Sequence, residues 1–407
     1  MQNKNITFRE FNGSVSPIHL EDTDFYKFTM AQVYDSALPT VSMQMKFHNR
    51  TTGVDLGKYK NHVDECLAEL CAARFESKTL DRLRDVSYMH PGYVDFLRLL
   101  QLNPEHIAKC DIDGTDLEIR TNGPARLTTW FETHVMSIVQ EQYFNDTYGD
   151  LPMAEGFDRL ESKIAKYLEL SKKYQFTFSE FGTRRRASFK WQRLVIQELV
   201  KVFGTQSPCF IGTSNVLFAT RFNLPFSGTM AHEFLQVGQA LDNVTLDQSQ
   251  KYMLELWHRV YRARLGIALS DVVGTDAFIR DFDYMLASLY AGVRHDSGDP
   301  FVWAERHIVN YERLGIDPKT KVLLFSDGLN VDKCEELLKA FHGKAKLSFG
   351  IGTDFTNDLG VKPLQLVMKA VQVNGRPVAK ISDSPGKGMC EDENHEAAVR
   401  RAFRIGE

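Results

Sequence analysis

A chain of 407 residues, 43% hydrophobic and 25% charged, can bury a large core and divide into two or three domains of about 150 residues each. Its 49 Lys and Arg against 53 Asp and Glu leave a net charge of −4, which argues against a nucleic-acid binder held mainly by counterion release. Six scattered cysteines (66, 71, 110, 209, 334 and 390) form no C-x-x-C pair, and no run has the apolar length of a signal core or membrane span. A soluble, cytoplasmic protein with reduced thiols is expected, with neither nucleic acid nor membrane as partner.

Residues 1–126 read as an N-terminal α+β domain. Leu20–Tyr34 carries Phe25, Phe28, Met30, Val33 and Tyr34 at helical spacing, behind acids that suit a helix N-terminus. Val41–His48 alternates like a half-buried strand. Helices are predicted over 57–76 and 91–101, then a strand at Leu117–Arg120 closed by the breaker Asn122-Gly123-Pro124.

Residues 127–360 change rhythm. Thr129-Trp130-Phe131-Glu132 fits a capping box, with Val135, Ile138 and Val139 continuing the face of Phe131. Short apolar runs then alternate with helices: Phe176–Glu180, Cys209–Asn215, Leu265–Asp271, Gly292–Arg294, Val322–Gly328 and Leu347–Asp354. Alternation of this kind means parallel pairing, and polar residues at each strand's carboxyl end favour an irregular β/α barrel over an open sheet. The fold class is α/β. Residues 361–407 form a tail with strands at Leu366–Val373 and Val378–Ile381, joined at Asn374-Gly375 and packing back on the N-terminal domain.

Several strand ends carry chemistry. Arg294-His295-Asp296-Ser297-Gly298-Asp299 presents a guanidinium and acids before Pro300 opens a helix, a set suited to a sugar bearing phosphates. Glu180–Arg186 offers an aromatic ring and a guanidinium three residues later, able to stack on a flat ring and pair with its carboxylate. Gly350 and Gly352 can form an anion nest, with Ser326-Asp327-Gly328 a second weak candidate. His232 follows Ser227-Gly228-Thr229-Met230-Ala231. Each alone has a plainer reading as a surface turn, solvated arginines, tight-turn glycines or a structural histidine. No H-E-x-x-H or G-x-S-x-G occurs.

Taken in order, Asp24–Lys27, Glu180–Arg184, Gly212–Asn215, Gly228–Glu233, Arg294–Asp299 and Phe349–Thr353 make a specific series. From about residue 20 to 390 the chain resembles the nicotinate phosphoribosyltransferases. The resemblance implies a head-to-tail homodimer that joins nicotinate to phosphoribosyl pyrophosphate in NAD salvage, using Mg²⁺ and coupling turnover to ATP. By similarity, Phe181 forms one wall of the nicotinate slot, Tyr26 of the partner subunit forms the other, and Arg184 meets carboxylate or phosphate. Arg294 and Asp296 hold ribose and Mg²⁺-diphosphate with Asp271 close by, and Gly328, Gly350 and Gly352 cradle the 5′-phosphate. Thr213, Ser214 and Thr353 join the substrate-binding set, and His232 takes the γ-phosphoryl group of ATP. The metal ligands, and the roles of Arg185 and Arg186, stay unassigned.

The implied chemistry needs no general base, because the pyridine nitrogen has a free lone pair. Two alternatives compete with this reading. Nicotinamide phosphoribosyltransferases carry an Asp where this chain has Ser214, and a hydroxyl there can donate to nicotinate's carboxylate where an Asp would repel it. A barrel lyase or aldolase on a sugar phosphate would want a Schiff-base lysine or a metal cluster at a strand end.

Overall fold

The computed structural model describes residues 6–13, 17–262 and 264–406. The first five residues, part of the stretch read above as lacking a signal core, lie outside them. In chain order the strands are β1 (Ser42–Asn49), β2 (Ile107–Asp113), β3 (Asp116–Pro124), β4 (Thr177–Glu180), β5 (Phe210–Thr213) and β6 (Ile267–Leu269). Then come β7 (Gly292–His295), β8 (Val322–Phe325), β9 (Lys346–Ile351), β10 (Leu366–Val373) and β11 (Arg376–Pro377).

An antiparallel sheet runs β11-β10-β1-β3-β2. In β1 the alternation read from sequence holds: Met43, Met45 and Phe47 are buried while their neighbours face outward. Its long partner is β10, with Met43 opposite Val373 and Asn49 opposite Leu366, so the tail completes a sheet begun some 320 residues earlier. The expected breaker at Asn122–Pro124 is instead the end of β3, paired with Ser42, Met43 and Gln44. A strand partner overrides local turn propensity there, and Pro124 occupies the last position, where a missing N–H costs least. β2 was not foreseen because most of it is exposed and shows no alternation.

Two further expectations shift. The region 57–76 is a short 3₁₀ turn and a helix over Lys60–Ala72, with a separate helix at Ser77–Arg84. After the turn at Asn374-Gly375, both at positive φ, the second tail strand is the two-residue β11, ahead of the expected Val378–Ile381. Val378 still donates to Val371, but Ile381 then donates to Val272, just past the end of β6.

The parallel sheet runs β5-β4-β9-β8-β7-β6. Its strands are short and almost continuously buried, as expected of strands covered on both faces. The edges β5 and β6 are bridged by residues 226–230: Ser227 donates its amide to Thr213, and the Thr229 hydroxyl donates to Ile267 at 3.1 Å. The strands and this segment make an irregular barrel. Helix Pro300–Arg313 begins at the predicted proline, with Asp299 accepting from the Phe301 and Val302 amides.

Helices Phe25–Ala37 and Phe131–Tyr148 lie buried between the sheets, with Phe28 edge-on to Trp130 at 4.8 Å. The capping box expected at Thr129–Glu132 does not form. Both side chains turn instead to a buried ion cluster, where charge outweighs one cap.

Candidate active site

The carboxyl ends of the parallel strands open on a cavity of about 550 Å³. Arg294 and Asp296 enter it from β7, Ser326, Asp327 and Gly328 from β8, and Gly352 and Thr353 from β9. The turn after β4 adds Arg184 and Arg185, and helix His232–Val237 adds His232. Tyr26, Arg50 and Glu132 come from the first half of the chain, and Lys369, Lys380 and Lys387 from the tail. Eight Lys and Arg side chains line this cavity against six Asp and Glu, so a protein of net negative charge presents anions with a positive basin.

At its centre His232 Nε2 lies 2.9 Å from Asp271 Oδ1 and 3.4 Å from Asp296 Oδ2. Asp271 is buried behind the histidine rather than on the cavity wall. Its second oxygen accepts from the Ser297 hydroxyl at 2.6 Å and pairs with Lys380 at 2.7 Å. Burial opposes its charge, but His232 and Lys380 outweigh that and hold the carboxyl well below its usual range. Burial likewise lowers His232, so the ring favours its neutral form. A neutral ring donating from Nε2 keeps its lone pair on Nδ1. Asp296 accepts from the Ser326 hydroxyl at 3.1 Å and faces Arg294 at 3.8 Å, while Arg294 donates to the Met230 carbonyl at 3.0 Å. Gly298 sits at φ +83°, where a side chain would be strained, and lets this turn fold back so that its amide donates to Ser384.

The floor is a charge cluster. Lys27 is wholly buried between Glu132 at 2.5 Å and Glu233 at 2.7 Å, and Glu132 also faces Arg184 at 3.5 Å. Two acids meet two bases, which makes the burial tolerable. The Tyr26 hydroxyl points to Glu132 at 3.5 Å. The chain's own Tyr26 lines this cavity.

Other expected residues stand behind the wall. The Phe181 ring lies over Gly350, where an added Cβ would come within 2.3 Å of it, so Gly350 makes room for the ring, and it is not among the residues that line the cavity. Phe181 is not among the residues that line the cavity; Arg184 from the same turn is. The Thr213 hydroxyl donates to Glu180, and the Ser214 hydroxyl donates to Asp24 at 2.6 Å, both buried. A hydroxyl has one proton to give, so Ser214 has none left for a substrate carboxylate. Arg186 is structural, bound to Asp22 at 2.6 Å and Glu141 at 2.8 Å. Ser214→Ala should therefore cost stability, about 1–3 kcal/mol from the unsatisfied acid, and leave substrate preference unchanged; urea unfolding and paired kinetics check both.

Two sequence profiles match the chain: the nicotinate phosphoribosyltransferase family over residues 176–407 and that family's N-terminal domain over residues 22–140. The chain is 46% identical over 391 residues to the nicotinate phosphoribosyltransferase of Burkholderia mallei, covering 95% of this chain and 96% of that one. The chain belongs to the nicotinate phosphoribosyltransferase family. Verminephrobacter eiseniae has a relative of the same name, 43% identical over 95% of this chain and 98% of its own. The crystal structure of nicotinate phosphoribosyltransferase from Vibrio cholerae superposes with a TM-score of 0.92 at 35% identity, covering 98% of this chain and 96% of that one. A putative nicotinate phosphoribosyltransferase from Saccharomyces cerevisiae gives 0.88 at 30% identity, over 96% and 99%. The lyase or aldolase alternative falls with this membership.

Sequence reading missed the cations that reach a family member's cavity from outside the barrel: Arg50, Lys369, Lys380 and Lys387. Lys369 donates to the Lys387 carbonyl at 2.7 Å, and Lys387 pairs with Asp327 at 2.6 Å. Burial, helped by Lys380 and Arg50, pulls Lys369 down to about 7. Their signal was available, since Lys369 and Lys380 each interrupt an apolar run that otherwise reads as buried strand. Among the described residues no helix is long and apolar enough to cross a membrane.

Proposed function

We propose that this chain converts nicotinate, phosphoribosyl pyrophosphate, ATP and water to nicotinate mononucleotide, pyrophosphate, ADP and phosphate, the first step of NAD salvage. The observation that carries the reading is the meeting of Arg184, His232, Arg294 and Asp296 in one positively charged cavity. Arg184, anchored by Glu132, pairs with the nicotinate carboxylate, which favours the acid over nicotinamide. Arg294 and the tail lysines hold the diphosphate, and the turns at Gly328, Gly352 and Thr353 hold the 5′-phosphate. The pyridine nitrogen attacks the sugar carbon with its own lone pair. The remaining work, charge at that carbon and departure of pyrophosphate, falls to groups fixed before the reaction.

His232 is the group we assign to ATP coupling. Nε2 is tied to Asp271, leaving Nδ1 to take the γ-phosphoryl group and pass it to water. Mg²⁺ fits the donor set as a hard cation taking carboxylate and phosphate oxygens. Both Asp271 oxygens are engaged, so Asp296 is the carboxylate that would hold it, and the bound ion would neutralise the diphosphate. The assembly we propose is a head-to-tail homodimer, and six free thiols suit the reducing cytoplasm.

The test is product formation from labelled nicotinate, phosphoribosyl pyrophosphate and Mg²⁺, with and without ATP, repeated with nicotinamide. Nicotinate mononucleotide, increased by ATP, is expected. Product from nicotinamide alone would overturn the substrate.

A further inference from the structure

Glu180 has a place in the site that its burial hides. It ends β4 with no exposed surface, and the groups that hydrogen-bond its carboxylate are neutral donors. One oxygen accepts from the Gly182 amide, the other from the Thr213 hydroxyl, and both accept from the Gln192 amide at 3.1 Å. These donors belong to three pieces of structure: the turn bearing Phe181 and Arg184, the end of β5, and helix Phe189–Phe203. Gln192 also donates to the Thr183 hydroxyl at 3.0 Å and accepts from Arg186 at 2.9 Å, so the turn is held along its length.

We propose that Glu180 is the positioning residue of the pyridine-acid subsite: its carboxylate sets the Phe181–Arg184 turn and thereby the reach of Arg184 toward the substrate carboxylate. The proposal rests on the function given above.

An ionised carboxylate is acceptor-only, which is what a site ringed by donors needs; once protonated it must turn an O–H toward one of them. Burial, with Asp24 adding to it, raises the Glu180 carboxyl to about 7 against the pull of its donors. Above about 7 the carboxylate serves all its donors; below that the proton costs the turn an acceptor, so nicotinate binding weakens as the pH falls. Asp24 faces it from the start of helix Phe25–Ala37, and Arg186 and Asp22 lie one bond further, through Gln192. Thr213 and the Gly182 amide do not titrate.

Glu180→Gln keeps the shape and places an NH₂ where an acceptor stood. Its KM for nicotinate should rise about tenfold, the equivalent of about 1.4 kcal/mol. Its kcat should stay within about twofold, the pattern of lost binding rather than lost chemistry. The parent's rise in KM below about pH 7 should vanish in this variant. Thr213→Val, which removes one donor and leaves the charge, should raise KM in the same direction and keep the pH dependence. An unchanged KM, a fall in kcat alone, or equal rises in KM for nicotinate and phosphoribosyl pyrophosphate would overturn the proposal. Should Glu180→Gln not fold, Thr213→Val decides, and an unaltered nicotinate KM in it defeats the idea. Failure of the unaltered chain to use nicotinate would instead defeat the function itself.

Discussion

Replacing His232 by Ala is expected to abolish the stimulation of product formation by ATP while slow, ATP-independent transfer persists. The ring sits at the start of a short helix, gripped at Nε2 by Asp271, which Lys380 and Ser297 hold from behind. On the role proposed for it, the substitution removes one nucleophile and leaves the cavity's cations in place. A loss of about 10²-fold in kcat/KM with ATP present is expected, within the range one positioned catalytic side chain supplies. Steady-state kinetics with and without ATP, together with acid-labile ³²P incorporation, check it. Retained ATP stimulation in the variant would remove His232 from the coupling step.

The second large effect is expected at Asp296. Its carboxylate touches His232, Arg294 and Ser326 at once, and burial, outweighed by Arg294 and His232, leaves it held below its ordinary range. Asp296→Asn keeps the volume and removes the negative charge that faces Arg294 and His232. A fall in kcat/KM of about 10²–10³-fold is expected, the scale of losing one preorganised electrostatic group. The Mg²⁺ concentration for half-maximal rate should rise with it. Titration of Mg²⁺ against initial rate, with circular dichroism as the control for folding, reads both. A loss smaller than about threefold would show that the carboxylate is peripheral to the charge that develops.

The barrel was legible because its strands announce themselves as short apolar runs that stop at polar residues, and Leu323, Phe325 and Leu347–Ile351 are buried as that pattern requires. The central cluster was legible too, since Arg294, Asp296 and His232 fall at strand ends or a helix start and meet in space. What escaped was where a polar side chain spends its hydrogen bonds. Ser214 and Thr213 have the right types for a substrate pocket, yet each finds an acid from elsewhere in the fold, Asp24 190 residues away and Glu180 33 residues away. Thr129 and Glu132 have capping-box spacing, yet Lys27 and Glu233 claim them. Local patterns name a residue's capabilities; long-range partners decide which one is used. The tail lysines were hidden for a related reason: strand propensity shows that Lys369 lies in a strand, but not that β10 pairs with β1 beside the barrel's open end.

The pairing of β10 with β1, and the loop closed by mutual backbone bonds between Lys380 and Met389, bear on how the enzyme comes into being. The ribosome must release nearly the whole polypeptide before the middle of the first sheet gains its second neighbour and Asp271 gains its ammonium. A chain that stops short of β10 leaves β1 without its second neighbour and the cavity without its tail lysines. Whichever half folds first, the cavity's positive charge is assembled last, when the tail closes over the open end of the barrel.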